Sequence, residues 1–173
     1  AVFSRDVITG ALTFVSNYTT GVDGVDGISG ANAIDFSPDG NFVYVTGADD
    51  NAVVVFSRNV LTGTLTFVQI LQDENGDVND LNYPVGVQVS KDANNVYVTS
   101  YGDNSVTVFQ RDAVTGMLTF QQVIRNGVDG VAGMLGSYAI CFSASGEQAY
   151  VAGIESHTIV LFDRDEMGNL TYS

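Results

Sequence analysis

A patterned fragment returns in this chain every 53 residues, and that periodicity limits what it can fold into more than any other feature. VFSRDVITGALTFV (Val2–Val15) reappears as VFSRNVLTGTLTFV (Val55–Val68) and VFQRDAVTGMLTFQ (Val108–Gln121), and in decayed form as LFDRDEMGNLTYS (Leu161–Ser173). Alignment on this period gives four strand signals per unit. The first is AIDFS (Ala33–Ser37), with GVQVS and AICFS as counterparts; the second is VYVTG (Val43–Gly47), with VYVTS and AYVAG. The third is VVVFSR (Val53–Arg58) and the fourth LTFVQ (Leu65–Gln69). Period-2 alternation in the first and fourth puts Ile34 with Phe36, and Leu65 with Phe67, on one face. The second and third are more continuously apolar, as strands covered on both sides are.

Turn signals separate the runs. SPDGN (Ser37–Asn41) reads as a tight hairpin, and RDVITG, RNVLTG and RDAVTG each end in a glycine available for positive φ. No segment keeps a helical period over ten residues. The 19 Gly and the dominance of Val, Phe and Tyr over an absent Trp agree with strands and turns. The chain is therefore expected to be all-β. Four antiparallel strands per unit of this length describe a propeller blade, which hides its two apolar faces only by stacking on like neighbours. A β-sandwich is the competing architecture, but it has no need to repeat its turns so faithfully.

The segment FSPDGNFVYVTGADDNAVVVFSRNVLTGTLTFV (Phe36–Val68) resembles a blade of the lactonase-type, YVTN-containing seven-bladed β-propellers, the 6-phosphogluconolactonase-like and carboxymuconate-cyclase-like proteins. Tyr-Val-Thr occurs at Tyr44–Thr46 and Tyr97–Thr99 and becomes Tyr-Val-Ala at Tyr150–Ala152. The likeness covers nearly the whole chain but lies in scaffold motifs, so it implies fold more than function. It implies a single propeller segment of about three and a half blades: an outer half-blade over 1–16 and blades over about 31–71, 84–124 and 137–173. Such a segment is expected either to be part of a longer propeller or to self-associate through its uncovered faces.

The net charge of −14, with only 6 Lys and Arg, disfavours nucleic acid and anionic membranes, and no nucleic-acid partner is expected. No run of residues is apolar enough to span a bilayer, and no signal peptide is visible; an extracellular or periplasmic site of action is the expectation. The resemblance implies that the loops between second and third strands share one face with the linkers between blades. Eleven of the 20 acids fall there: Asp23, Asp26, Asp49, Asp50, Asp73, Glu74, Asp77, Asp80, Asp103, Asp129 and Glu155. Within DENGDVND, the alternation of Asp73, Asn75 and Asp77, followed by Asp80, offers oxygen ligands for Ca²⁺, although Val78 stands where an EF-hand needs Gly. The alternative is a hydrated acidic loop. No cofactor is required.

Arg5, Arg58, Arg111 and Arg164 each end a third strand; a residue recurring in every blade is read as scaffold, pairing with a neighbouring acid or capping turn carbonyls. The single histidine, His157, fills the slot of Asn51 and Asn104, which favours a turn replacement. With Glu155 and Arg125 it also forms the weak catalytic set, a base and a cation suited to lactone hydrolysis or cycloisomerisation. The lone Cys141 is expected to be a buried, inert thiol. The preferred function is a non-catalytic binding or interaction module of a secreted or surface protein, recognising an unidentified ligand or protein partner through its acidic loops. The alternative is a lactonase-type hydrolase or cycloisomerase, or part of one.

Overall fold

A computed structural model describes residues 1–76 and 78–173. Among these the chain forms fourteen strands and no helix. The hairpin β1 (Val2–Arg5) and β2 (Leu12–Ser16) is a two-stranded sheet. Three four-stranded antiparallel sheets follow: β3 (Ala31–Phe36), β4 (Phe42–Gly47), β5 (Ala52–Arg58) and β6 (Leu65–Gln72); β7 (Pro84–Val89), β8 (Asn95–Ser100), β9 (Ser105–Arg111) and β10 (Leu118–Arg125); and β11 (Ser137–Phe142), β12 (Gln148–Gly153), β13 (Thr158–Arg164) and β14 (Leu170–Tyr172). Each sheet pairs its strands in chain order, as propeller blades do.

The repeated turns explain the repeated hairpins. Ser37 N–H donates to the Phe42 carbonyl and Phe42 N–H to Ser37 Oγ, both at 2.9 Å, closing the β3–β4 turn with Gly40 at φ +73°. Ser90 and Asn95 repeat this between β7 and β8. In the β1–β2 turn Asp6 Oδ1 accepts the N–H groups of Ile8 (2.9 Å) and Thr9 (2.7 Å), and Asp112 does the same for Val114 and Thr115. The residue after these arginines, Asp6, Asn59 or Asp112, thus closes its own turn rather than pairing with the arginine.

The core lies between the blades. Tyr44, Val53 and Val55 of the first blade pack on Val96, Val98, Phe109 and Leu118 of the second. Tyr97, Val106 and Val108, on the opposite face of the second, pack on Ala149, Val151, Val160 and Phe162 of the third. Alternate residues of each middle strand therefore serve opposite neighbours, so β4, β5 and β8 are buried along most or all of their length. Full burial of one Val or Phe contributes about 1.5–3 kcal/mol. Ile34 and Phe36, predicted to share an apolar face, are 59% and 47% exposed because that face of β3 looks toward the two-stranded hairpin, which offers no inner strands to cover it.

A polar latch recurs within each joint. Tyr44 donates its hydroxyl to the Gly116 carbonyl (3.0 Å) and accepts from Arg111 Nε (2.6 Å); Tyr97 donates to Gly168 (2.7 Å) and accepts from Arg164 Nε (2.6 Å). The second arm of Arg111 donates to the Ala93 carbonyl, and that of Arg164 to Asp92 and Asn95. The periodic arginines recur as scaffold, and the chief partner of Arg111 and Arg164 is the tyrosine of the preceding blade, whereas Arg58 caps the Gly40 carbonyl. Burial pushes the Tyr97 hydroxyl up to about 12, so it keeps the proton that it donates. Gln69 and Gln122 add a second clasp, each gripping the N–H and carbonyl of the leucine that opens the next blade's fourth strand, Leu118 and Leu170.

Cys141 departs from expectation: it is exposed, not buried. Its counterpart Asp35 is half-buried against the second blade, whose Gln88 Nε2 and Val89 N–H it binds at 2.7 and 2.8 Å. The latch is testable. Tyr97→Phe strands the buried Arg164 Nε and should lower unfolding free energy by about 1–3 kcal/mol in urea titrations, whereas Tyr150→Phe, at the uncovered face, should cost almost nothing.

Candidate functional site

The inter-blade linkers and the β4–β5, β8–β9 and β12–β13 hairpins meet on one face, held by backbone hydrogen bonds. Asp49 N–H donates to Ser29, Gly102 to Asn82 and Glu155 to Leu135, at 3.2, 3.1 and 3.0 Å. One carboxylate or hydroxyl per blade reinforces each crossing: Asp50 accepts from Ser29 N–H, Asp103 from Asn82 N–H, and Ser156 from Leu135 N–H. Asn51, Asn104 and His157 share a left-handed turn position, at φ 51°, 53° and 56°. The two asparagine side chains reach forward to accept the N–H of Tyr83 (2.9 Å) and Gly136 (2.6 Å) in the linker to the next blade. His157 sits exposed in the same slot. Its position is that of a turn residue.

The calcium candidates are largely engaged by the protein. Asp73 Oδ1 accepts Leu81 N–H at 2.9 Å, and Asn126 performs the same task for Met134 one repeat later, so this contact belongs to the linker fold. Asp80 is buried and meets Arg125 in a two-pronged ion pair, Nε to Oδ1 and Nη2 to Oδ2 at 2.6 Å each. Asn75 forms an isolated backbone bridge with Val78, and Asp77 lies outside the described residues. No three His, Cys, Asp or Glu side chains converge as metal ligands among the described residues.

The weak catalytic set does not assemble. Arg125 is held by Asp80 and lines a cavity of about 290 Å³ with Val128, Asp129 and Tyr172, which contains neither Glu155 nor His157. Glu155 instead accepts a short hydrogen bond from the Tyr101 hydroxyl of the preceding blade. That bond, followed by the carboxylate's charge, raises the Tyr101 pKa, so the phenol remains a donor. Tyr83 packs edge-to-face on Tyr101, with ring centroids 6.1 Å apart.

These two tyrosines were missed by reading strands alone, yet the period exposes them. Tyr83 takes the place of Gly30 and Gly136, and Tyr101 that of Ala48 and Ile154. Both glycines have φ near +64°, and Tyr83 adopts φ +54°, a conformation that a bulky side chain resists. Tyr83 thus holds, where the repeat uses glycine, a backbone conformation that costs a bulky residue free energy. Asp80 is a comparable break, replacing Gly27 and Gly133. The loop face of the second blade, abutting Glu155 of the third, is thus where the chain departs most from its own pattern. Behind it, burial foremost and then the charges of Asp73 and Asp80 raise the pKa of Asp103 against the opposing pull of Asn82 N–H and Arg125.

Two outcomes follow. Millimolar Ca²⁺ should leave the thermal midpoint unchanged, because Asp73 and Asp80 already have protein partners. Asp103→Asn should raise the midpoint at neutral pH: a carboxyl with a raised folded pKa destabilises the native state when ionised. That gain should fade as pH falls through the folded pKa and vanish below the unfolded value near 3.8, where both forms are protonated.

With this geometry in hand, comparison with known proteins is informative. The 6-phosphogluconolactonase of Bacillus subtilis is 25% identical over 146 residues, covering 83% of this chain and 40% of that protein. The periplasmic gluconolactonase of Pseudomonas aeruginosa superposes with TM-score 0.66 at 26% identity, over 83% of this chain and 38% of that one. A protein from Lactobacillus plantarum matches in fold with TM-score 0.80 at 23% identity, over 99% of this chain and 47% of its own. The chain thus spans less than half the length of these relatives. Residues 25–173 match the family described as Lactonase, 7-bladed beta-propeller, and the chain belongs to that family.

Proposed function

We propose that this chain contributes the catalytic face of a lactone hydrolase acting on uncharged sugar lactones. The observation that carries the reading is the Tyr83–Tyr101–Glu155 group, placed where the chain breaks its own repeat and strained at Tyr83. The comparisons favour this enzyme reading over the non-catalytic module that the sequence alone puts first. Glu155, oriented by the Tyr101 hydroxyl, takes a proton from a water molecule as its oxygen bonds to the lactone carbonyl carbon. The ring carbon–oxygen bond then breaks, and the same carboxyl returns the proton to the departing ring oxygen, leaving a hydroxy acid. The faces of Tyr83 and Tyr101 offer apolar walls for the C–H side of a sugar ring.

Charge narrows the substrate. The chain carries −14 overall, eleven acids occur in the loops of this face, and Arg125 is neutralised by Asp80. A phosphorylated lactone would approach against that field, whereas a neutral one would not. The B. subtilis relative is named for a phosphorylated lactone and the P. aeruginosa one for gluconolactone; the acidic face sides with the latter, as does the expectation of a site of action outside the cytoplasm.

Acid release from gluconolactone and from its 6-phosphate, followed at constant pH on the complete propeller, tests this. The neutral lactone should be preferred, Glu155→Gln should lower kcat by about 10²–10⁴-fold, and His157→Ala should change it little. Full activity in Glu155→Gln, or its loss in His157→Ala, would overturn the assignment. Lactone binding without turnover would restore the non-catalytic reading.

A further inference from the structure

At the strand ends remote from the loop face, the joint between the second and third blades opens into a cavity of about 510 Å³. We propose that this cavity is a second binding site, for a neutral sugar or a similar polyhydroxyl molecule. The proposal does not depend on the catalytic reading.

The repeat itself shows that folding does not call for a polar lining here. In the first joint the same place is apolar: the Phe42 ring lies 5.3 Å from the central guanidinium carbon of Arg111, and Val68 packs on the core that Phe42 belongs to. The second joint replaces Phe42 by Asn95 and Val68 by Gln121, and its β13–β14 turn, RDEMGNL, is one residue shorter than RDAVTGML. Three departures from the period, on two blades, thus fall around one space. Both new amides are firmly held. Asn95, 1% exposed, donates to Gln121 Oε1 at 3.1 Å and to the Met167 carbonyl at 3.2 Å, and its own Oδ1 accepts from Arg164. Gln121 donates to the same carbonyl at 3.0 Å and to Asn169 Oδ1 at 2.9 Å. Buried amides destabilise a fold unless each such bond is made, so this joint is harder to stabilise than a Phe–Val contact.

The network fixes one part of the lining and leaves another free. Asn94, Gln110 and Glu166 also line the cavity and are exposed, and among the described residues their side chains have no hydrogen-bond partner. Each of these carboxamides can donate and accept, whereas the carboxylate only accepts; Asn95 Oδ1, Gln121 Oε1 and Asn169 Oδ1 each keep a second lone pair. The complement is a ligand whose groups donate and accept at close spacing, as neighbouring hydroxyls do. Other classes fit less well. An apolar molecule would desolvate these amides without pairing them. An anion would meet Glu166, and a metal ion would find that carboxylate alone. The volume lies within the roughly 300–1,000 Å³ of small-molecule sites, enough for a hexose with water beside it.

Methyl glycosides of glucose, galactose, mannose and N-acetylglucosamine are the probes, because they carry no lactone carbonyl for the loop face to act on. Titrated on the chain by calorimetry or ligand-detected NMR, at least one should bind with a dissociation constant on the order of 1 mM. Gln110→Ala and Glu166→Ala, both at exposed positions, should each weaken binding by about tenfold while retaining the parent's thermal midpoint. Asn95→Phe with Gln121→Val, which restores the residues of the first joint, should abolish binding. Glu155→Gln, on the loop face, should leave it unchanged. Absence of saturable binding by all four glycosides up to about 50 mM would overturn the proposal. So would binding that is indifferent to both Gln110→Ala and Glu166→Ala, or that is lost in Glu155→Gln.

Discussion

The structure depends on contact between blades rather than on any blade alone. Each sheet is one layer thick, and its middle strands carry valines and aromatics on both faces, so an isolated sheet would leave both wet. Stacking solves this twice, once on each side of the second blade, and the solution is specified by polar groups as well as by burial. The tyrosine of the Tyr-Val-Thr motif is wholly buried, yet its oxygen is saturated by a glycine carbonyl and an arginine Nε that arrive together from the next blade. A buried hydroxyl that is satisfied only in one alignment penalises every other, and so fixes register where apolar contacts would tolerate sliding.

Much of this was legible in the sequence because the chain states its pattern more than once. Strand order, the all-β class and the hairpin turns follow from period-2 runs and from Ser, Asp and Gly at fixed offsets. The arginines could be recognised as scaffold by recurrence, but their partners could not: the tyrosines that Arg111 and Arg164 bind lie 67 positions away, and only the stacking of blades brings them together. Cys141 was misjudged for a related reason. The slot, filled by Asp35 and Gln88 in the other blades, is half-buried where a neighbouring blade lies against it, and that cover is a property of the arc rather than of the local residues.

The site was less legible. Glu155 was visible as an acid on the loop face, but its tie to Tyr101 joins residues of different blades. Tyr83 carries the clearer signal, a bulky residue in a glycine position, and it becomes visible only when loops are aligned with the same care as strands. Arg125 looked like a free cation among acids; the structure gives it to Asp80, which itself replaces a glycine. Repetition thus serves as an internal control. Positions that agree across blades describe the scaffold, and the few that disagree draw attention to chemistry.

Among the described residues the second blade is flanked by a four-stranded sheet on each side, whereas the first has the two-stranded hairpin on its other side. Cohesion is therefore distributed unevenly along the arc, with the middle sheet acting as its keystone. Damage there severs two joints at once and would divide the chain into pieces that share no remaining surface. Damage to the third sheet releases one joint and leaves the remainder engaged. The loops carrying Tyr83 and Tyr101 spring from that central sheet, so the least replaceable part of the framework also supports the residues that deviate most from it.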